Sequence, residues 1–267
     1  MSFKGATLSW EVRDTVAEVR LHRAPCNEIG RETLEELEHL VAWLGQSPEG
    51  VRALIFHSEQ PGFCAGADLG ELHRGLVERR MEGRPVDGDV RDFIDRIHTV
   101  FDALDTAPLT TISAVHGVCF GGGLELALTS DLIVADKSAR FCFPELRLGL
   151  VPGFGGIPRL NRDVGNGVVR DLLFTGRSLN AKRAHALGLV SQVVPRGEAL
   201  GASRRVAAQA ARFDAHTLAA AKAFSKRLPV EELAQERDLF CQLMTKPAVS
   251  EALRRFVESD DVRPYLP

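Results

Sequence analysis

The chain has 267 residues, 45% of them hydrophobic and 26% charged, with a formal net charge of −3. That length suits one large domain, or a domain with an appendage, able to bury a sizeable core. The slight acidic excess excludes a strongly basic nucleic-acid binder as the default, although a local basic patch stays compatible with it.

The opening stretch, "MSFKGATLSWEVRD", is polar and alternating, without an apolar core of signal-peptide length. No run in the chain is long enough to span a bilayer, so a soluble cytoplasmic protein is expected. "TLSWEV" and "TVAEVRLH" alternate with period two and predict a hairpin turning at Arg13-Asp14. "RETLEELEHLVAWL" puts Leu34, Leu37, Val41 and Leu44 on one helical face, with acids at its start. "VRALIFHS" is a short apolar strand, "PGFCAGADL" a glycine-rich loop, and Asp68 begins a further helix. Residues 74–90, charged and broken by Gly and Pro, predict a mobile loop or surface insertion. "VRDFIDRIHTVFDALDTA" is an amphipathic helix ended by Pro108, and "LTTISAV" a strand. "DLIVAD" and "ARFCF" are further strands, and "VPGFGGIPRL" is a Gly- and Pro-rich loop. "SLNAKRAHALGLV" reads as a capped helix ending at Gly188, followed by the strand "LVSQVVP". From Glu198 onward only helices are suggested. Mixed strands and helices followed by an all-helical tail predict an α/β core, residues 1–197, with a helical region over 198–267.

The five cysteines, Cys26, Cys64, Cys119, Cys142 and Cys241, are scattered, odd in number and form no C-x-x-C pair. Neither a zinc site nor a disulfide framework is indicated, and reduced thiols are expected.

The chemistry concentrates in "HGVCFGGGLELAL", residues 116–128. Glycine lets a ligand approach backbone closely, and the first N–H groups of a helix lack internal partners. A strand–Gly-Gly-Gly–helix junction therefore suits an oxyanion or phosphate; tight helix–strand packing is the plain alternative. It is no Walker A loop, since no Gly-Lys-Ser/Thr follows, and no G-x-G-x-x-G fingerprint. "FCAGADL" has the same character, with Asp68 as an N-cap candidate. One donor from each loop could meet a single oxygen, the geometry of an oxyanion hole. Glu125 and Glu145 both stand beside apolar residues. Burial would raise their pKa values, and a pair so placed can move protons near neutrality. Singly, each has a bland reading: Glu125 as a helix-dipole partner, Glu145 as a loop charge.

"FCAGADL", "AVHGVCFGGGLELAL", "CFPELRLGLVPGFGGIPRL" and "SLNAKRAHALGLVSQVV", in this order, resemble the crotonase (enoyl-CoA hydratase/isomerase) superfamily over nearly the whole chain. The resemblance implies a spiral of ββα turns with a helical C-terminal trimerisation region, assembled as a homotrimer or dimer of trimers. It implies an acyl-CoA thioester substrate, with coenzyme A belonging to the substrate and no separate cofactor or metal. The N–H groups of Ala67 and Gly122 would form the oxyanion hole. Glu125 and Glu145 would be the acid/base pair, with the role of each left open. Keeping both favours water addition across the C2=C3 bond of a 2-enoyl-CoA, or its reverse. The segment Cys64, Ala65, Asp68 and Leu69 would meet the CoA, and Arg23 in "LHRAPCNEIG" is a phosphate candidate or a solvated arginine. Lys222, Lys226 and Arg227 could meet CoA phosphates or form a solvated helix face.

The same scaffold also permits an isomerase, a decarboxylase or a carrier-protein-bound substrate. A non-catalytic, RNA-associated protein is the reading from another class, and the acidic balance speaks against it. Phe120 and Phe154 are bulky beside the glycine motifs, and could narrow a pocket or simply pack; His116 stands where the family commonly has asparagine and is read as structural.

Overall fold

A computed structural model of the chain describes residues 1–82 and 87–259. The N-terminal strands β1 (Ser2–Lys4), β2 (Leu8–Arg13) and β3 (Val16–Leu21) pair antiparallel. The expected hairpin turns at Asp14-Thr15, one residue later than the sequence suggests. Arg13 pairs with Val16, and Asp14 takes the left-handed φ of +52°. β4 (Ala53–Ser58), β5 (Thr110–Val115), β7 (Leu132–Asp136) and β10 (Gln192–Val194) continue the sheet in parallel, giving seven strands in the order β1-β2-β3-β4-β5-β7-β10. A second sheet of three short strands, β6 (Val118–Phe120), β8 (Arg140–Cys142) and β9 (Leu179–Asn180), runs in the order β6-β8-β9.

The parallel strands are apolar on both faces because both are covered. Leu54, Phe56 and Val115 join the main core, where α1 (Arg31–Gly45) and α3 (Asp87–Thr106) pack on each other and on the sheet. Ala53, Ile55, Ile112, Ala114 and Val134 face the other way, onto Ala199, Ala202 and Ala207 of α8 (Ala199–Ala210). On α1 the buried stripe is Thr33, Leu34, Glu36, Leu37 and Leu40, while Val41 and Leu44 are only half-buried. Glu36 sits in that stripe because its carboxylate accepts the N–H groups of Ala6, Thr7 and Leu8, bonds a burial site must supply to hold a charge.

The chain winds as a spiral in which each turn gives one strand to each sheet and then a helix. β5, β6 and α4 (Gly122–Leu128) make one turn. β7, β8 and a 3-10 turn over Glu145–Leu148, followed by α5 (Gly156–Val164), make the next. In the preceding turn β4 leads to Cys64, which bridges in parallel to Cys119 of β6, and then to α2 (Leu69–Met81). Successive turns stack, so the residues entering α2, α4 and the 3-10 turn fall one above another.

α2 and α3 correct the expectation of a loop over residues 74–90. Residues 74–81 continue α2 and 87–90 begin α3. Arg, Glu, Leu and Met are good helix formers, and Leu76 is buried as the apolar side of α2; Gly75 alone did not break it. Residues 83–86 lie outside the described residues. β1, β6, β9 and α6 (Asn166–Thr175) were not expected; the strands, of two or three residues, are too short to show a period. The loop expected over "VPGFGGIPRL" is corrected in its second half, where Gly156 to Leu160 begin α5. The expected helix before Gly188 is α7 (Ala181–Ala186), capped by the Asn180 side chain, which accepts the Arg183 N–H at 2.8 Å. The tail continues as α9 (Ala215–Ser225), α10 (Val230–Met244) and α11 (Pro247–Val257). Phe240, Met244, Val249 and Leu253 from α10 and α11 belong to the main core. Among the described residues no helix is long and apolar enough to cross a membrane.

The stacking leaves no room at Gly123. A Cβ there would lie 2.3 Å from the Cys64 carbonyl oxygen, which is backbone and cannot swing away. Gly123→Ala is therefore expected to lower stability by about 1–3 kcal/mol through overpacking, read as a lower urea midpoint at unchanged slope.

Candidate active site

Ala67 owes its position to a neighbouring segment. Asn27 donates from its side chain to the Phe63 carbonyl at 2.9 Å, Ile29 N–H donates to Gly66 at 2.8 Å, and Asp68 N–H returns to Ile29 at 3.0 Å. Cys64 fixes the other side: its N–H donates to Val118, and its carbonyl accepts from Phe120. Gly66 then turns with φ +113°, a conformation that an L side chain resists, and leaves the Ala67 N–H facing Gly122. Gly121, φ +48°, makes the matching turn into α4. Among the described residues neither the Ala67 nor the Gly122 N–H donates a hydrogen bond. A Cβ on Gly122 would stand 3.3 Å from the Ala67 nitrogen and 2.7 Å from the Phe154 ring. Two unspent donors so close can converge on one oxygen.

The carboxylates come next. Glu125, in the first turn of α4 and 2% exposed, accepts the N–H groups of Phe154 at 2.7 Å and Gly156 at 2.9 Å, both on Oε1. Burial pushes its pKa up to about 7, against the pull of those two donors. Glu145 opens the 3-10 turn, and its Oε1 lies so near Gly121 that a Cβ there would be 2.6 Å away. Its Oε2 is buried without a hydrogen-bond partner among the described residues. Burial, and then the charge of Glu125, drive its pKa well above the usual carboxylate range. Beside Ala67 an apolar cavity of about 80 Å³ opens among Leu72, Leu76, Val90, Phe93, Phe154 and Phe240.

Two unspent backbone donors, two buried carboxyls with raised pKa values and an apolar cavity are thus gathered in one part of the fold, a set that can move protons beside an oxygen held by backbone. Comparison with known proteins places the chain in a family. The model of the enoyl-CoA hydratase/isomerase family matches residues 11–263. The chain belongs to that family. Human mitochondrial methylglutaconyl-CoA hydratase is 36% identical over 187 residues, 70% of this chain and 52% of the human protein. The match thus spans about half of that relative's length. The short-chain-enoyl-CoA hydratase of Clostridium acetobutylicum is 32% identical over 198 residues, 74% of this chain and 72% of that one. The crystal structure of an enoyl-CoA hydratase from Bacillus anthracis superposes with a TM-score of 0.74 at 28% identity, covering 94% of this chain and 96% of that one. The crotonase-like α/β spiral with its helical tail is thus the fold of this enoyl-CoA hydratase/isomerase family member.

The other residues singled out from the sequence divide. Asp68 caps α2, its Oδ1 accepting the Glu71 N–H at 2.8 Å, and its Oδ2 pairs with Arg23 at 2.5 Å. Arg23 also donates to the Glu28 carbonyl. This pair joins the two segments that hold Ala67, and leaves Ala65 and Leu69 half-buried along the loop. Cys64 is 0% exposed, and its N–H, carbonyl and thiol are all engaged, the thiol with the Asn27 carbonyl at 2.9 Å, so it sets the shape of the loop. Lys222 and Lys226 correct the expectation of a solvated helix face. Lys222 reaches Asp131 at 3.0 Å, and Lys226 reaches Asp105 at 2.8 Å and Asp131 at 3.1 Å, so both tie α9 to the core. Phe120 is buried packing, whereas Phe154 lines the cavity. His116 bonds the Gln60 carbonyl at 2.8 Å.

Two functional neighbours escaped the sequence reading. Arg159 of α5 is wholly buried, donating to Asp105 at 2.8 Å, Asp102 at 2.5 Å and the Phe154 carbonyl at 3.0 Å. Glu236 of α10 accepts the N–H groups of Gly155 and Ile157, each at 2.7 Å. Its signal was present: Leu233, Phe240 and Met244 form a buried helical stripe, and Glu236 falls inside it.

Proposed function

We propose that this protein hydrates a short 2-enoyl-CoA thioester, or runs the reverse dehydration. The observation that carries this is a pair of buried carboxyls, Glu125 and Glu145, close to two undonated backbone N–H groups. The thioester oxygen would sit between the Ala67 and Gly122 N–H groups. These stabilise the negative charge that the oxygen gains as the enolate forms. The relatives named as enoyl-CoA and methylglutaconyl-CoA hydratases support the substrate class.

The contacts also divide the proton work. Oε1 of Glu125 takes two backbone donors, which favours the charged form, and Oε2 makes no hydrogen bond among the described residues. Glu145 has a buried Oε2 with no partner to hold a charge among the described residues, and burial with the charge of Glu125 raises its pKa well above the usual carboxylate range, so it carries the proton at rest. Glu125 takes a proton from water as the oxygen bonds to C3. Glu145 gives its proton to C2, and the C2=C3 double bond becomes a single bond. Water is then added in full once the proton on Glu125 returns to Glu145. The cavity beside Ala67 is lined by apolar side chains, which suits an acyl group.

The pH profile follows from these roles. Glu125 must be ionised, so kcat should rise with pH through about 7 and sit about tenfold below its plateau one unit lower. Glu145 must be protonated, so kcat should fall again at higher pH. A bell-shaped profile for loss of the conjugated-thioester absorbance, with 3-hydroxyacyl-CoA as product, supports the reading. A shifted double bond or released carbon dioxide would replace it with isomerase or decarboxylase chemistry.

The assembly we propose is the homotrimer or dimer of trimers that the family resemblance implies. Support comes from α9, which buries no residue within the chain, and from the exposed Phe224 on it and Phe213 just before it. The unpaired thiols, three of them buried, support a reducing compartment such as the cytoplasm.

A further inference from the structure

Four consecutive N–H groups at the start of α5 point alternately at two carboxylates. Phe154 and Gly156 donate to Glu125, and Gly155 and Ile157 donate to Glu236. Glu236 comes from α10, in the helical tail, and is 5% exposed. Each of its oxygens accepts one donor at 2.7 Å. A single stretch of backbone is therefore gripped from both sides, and Glu125 can keep its two donors only while Glu236 keeps the other two.

The grip itself is anchored. α10 packs on α3 and α5. One turn beyond Glu236, the Phe240 ring covers Gly153, where a Cβ would lie 2.5 Å from it. Arg159 supplies the compensating cation, bonded to the Phe154 carbonyl and fixed by Asp105 and Asp102. Leu or Met at this point of the apolar stripe would fill the space but leave the Gly155 and Ile157 N–H groups without acceptors, so the carboxyl is what holds that backbone.

We propose that Glu236 is a positioning residue for Glu125: it holds the Gly155–Ile157 backbone, and so keeps Oε1 of Glu125 tied and Oε2 open to the reacting water. The reacting water rests on the hydratase reading; the hold on Glu125 does not. Burial, and then the charge of Glu125, push the pKa of Glu236 itself well above the usual carboxylate range. The groups that face it are Glu125 from α4, Arg159 from α5 and Glu145 from the 3-10 turn. His98 of α3 meets the same loop at the Gly153 carbonyl, 2.9 Å away, and burial holds it neutral by pushing its pKa down to about 4. Glu236 therefore acts on Glu125 through the backbone it holds: loosening that backbone weakens the two donors that favour the charged form of Glu125.

Two variants test the hold. Glu236→Gln keeps size and one acceptor but sets an amide NH₂ against a backbone N–H. Glu236→Asp keeps both acceptors and withdraws the group by one methylene. Both are expected to lose kcat on the order of 10²-fold while KM stays within about twofold. Both should move the acid limb of the kcat profile to higher pH by roughly one unit, because Glu125 loses donors that favour its charged form. A readout free of turnover is the carboxyl carbon-13 NMR titration of Glu125, its resonance assigned by loss in Glu125→Gln. Its midpoint should rise in both variants by the same amount. A folded Glu236→Gln protein with unchanged kcat and an unchanged Glu125 midpoint, altered only in thermal stability, overturns the proposal and leaves a purely structural cap. Should that variant not fold, kcat of Glu236→Asp decides between the same two results. If the wild-type protein hydrates no enoyl-CoA, the functional reading fails, and the NMR titration still decides the role of Glu236.

Discussion

Glu145→Gln is expected to lower kcat for hydration by about 10²–10⁴-fold, the usual worth of a positioned proton donor. Glutamine has the same shape but no proton to give at neutral pH. Glu125→Gln should cost a similar factor, because the amide cannot take a proton from water. The double variant should be little worse than either single one, since the two groups act as a unit. Stability should move the other way. Glu145 is a buried carboxyl with one oxygen unpartnered, held near Glu125 and Glu236, whose charges oppose its own ionisation. Removing that ionisable group relieves a cost the fold otherwise bears, so Glu145→Gln should melt at or above the wild-type temperature. Loss of the conjugated-thioester absorbance and a thermal melt, run on the same preparation, measure both. Wild-type turnover in both single variants would remove the glutamates from the chemistry. Lost turnover with a collapsed melt would make them structural.

How far such a site can be read in advance depends on where its parts lie along the chain. Ala67, Gly122, Glu125 and Glu145 stood inside local motifs, where glycine beside a strand end or a carboxylate beside leucine is an anomaly visible within a few residues. The repeating order of strands and helices was equally local, and so was the hairpin, to within one residue. Glu236 and Arg159 act on the same loop from 79 residues away and from inside α5. Each looked like an ordinary charge on an amphipathic helix. Only the packing of α10 onto α5 turns Glu236 inward, and only the Asp102 and Asp105 carboxylates of α3 reveal Arg159 as buried. Cys64, Lys222 and Lys226 show the converse: residue type alone gives no sign that β6, Asn27, Asp105 and Asp131 engage their polar groups, because those partners come from distant parts of the chain. The loop expected over 74–90 shows the limit of counting Gly and Pro: Gly75 costs a helix about 1 kcal/mol, which the burial of Leu76 and its neighbours offsets.

The oxyanion hole carries the second large effect. Gly122→Ala is expected to lower kcat by about 10²–10³-fold, comparable to removal of one hole donor. The N–H groups themselves survive this change. What is lost is the space between them: the added methyl would stand 3.3 Å from the Ala67 nitrogen, where a substrate oxygen has to come, and 2.7 Å from the Phe154 ring. Phe154 can yield by turning its side chain, because it borders the cavity; the backbone at Ala67 cannot, because Ile29 brackets it on both sides. The methyl therefore settles in the hole, the helix beyond it is undisturbed, and alanine is a better helix residue than glycine. Binding of CoA itself, followed by calorimetry, should change little, since the nucleotide end of the substrate does not pass between the two N–H groups. Turnover lost with CoA affinity retained places the defect at the thioester oxygen. Turnover retained would mean that the oxygen never enters the gap between Ala67 and Gly122, and the enolate would then have to be stabilised by a different pair of donors.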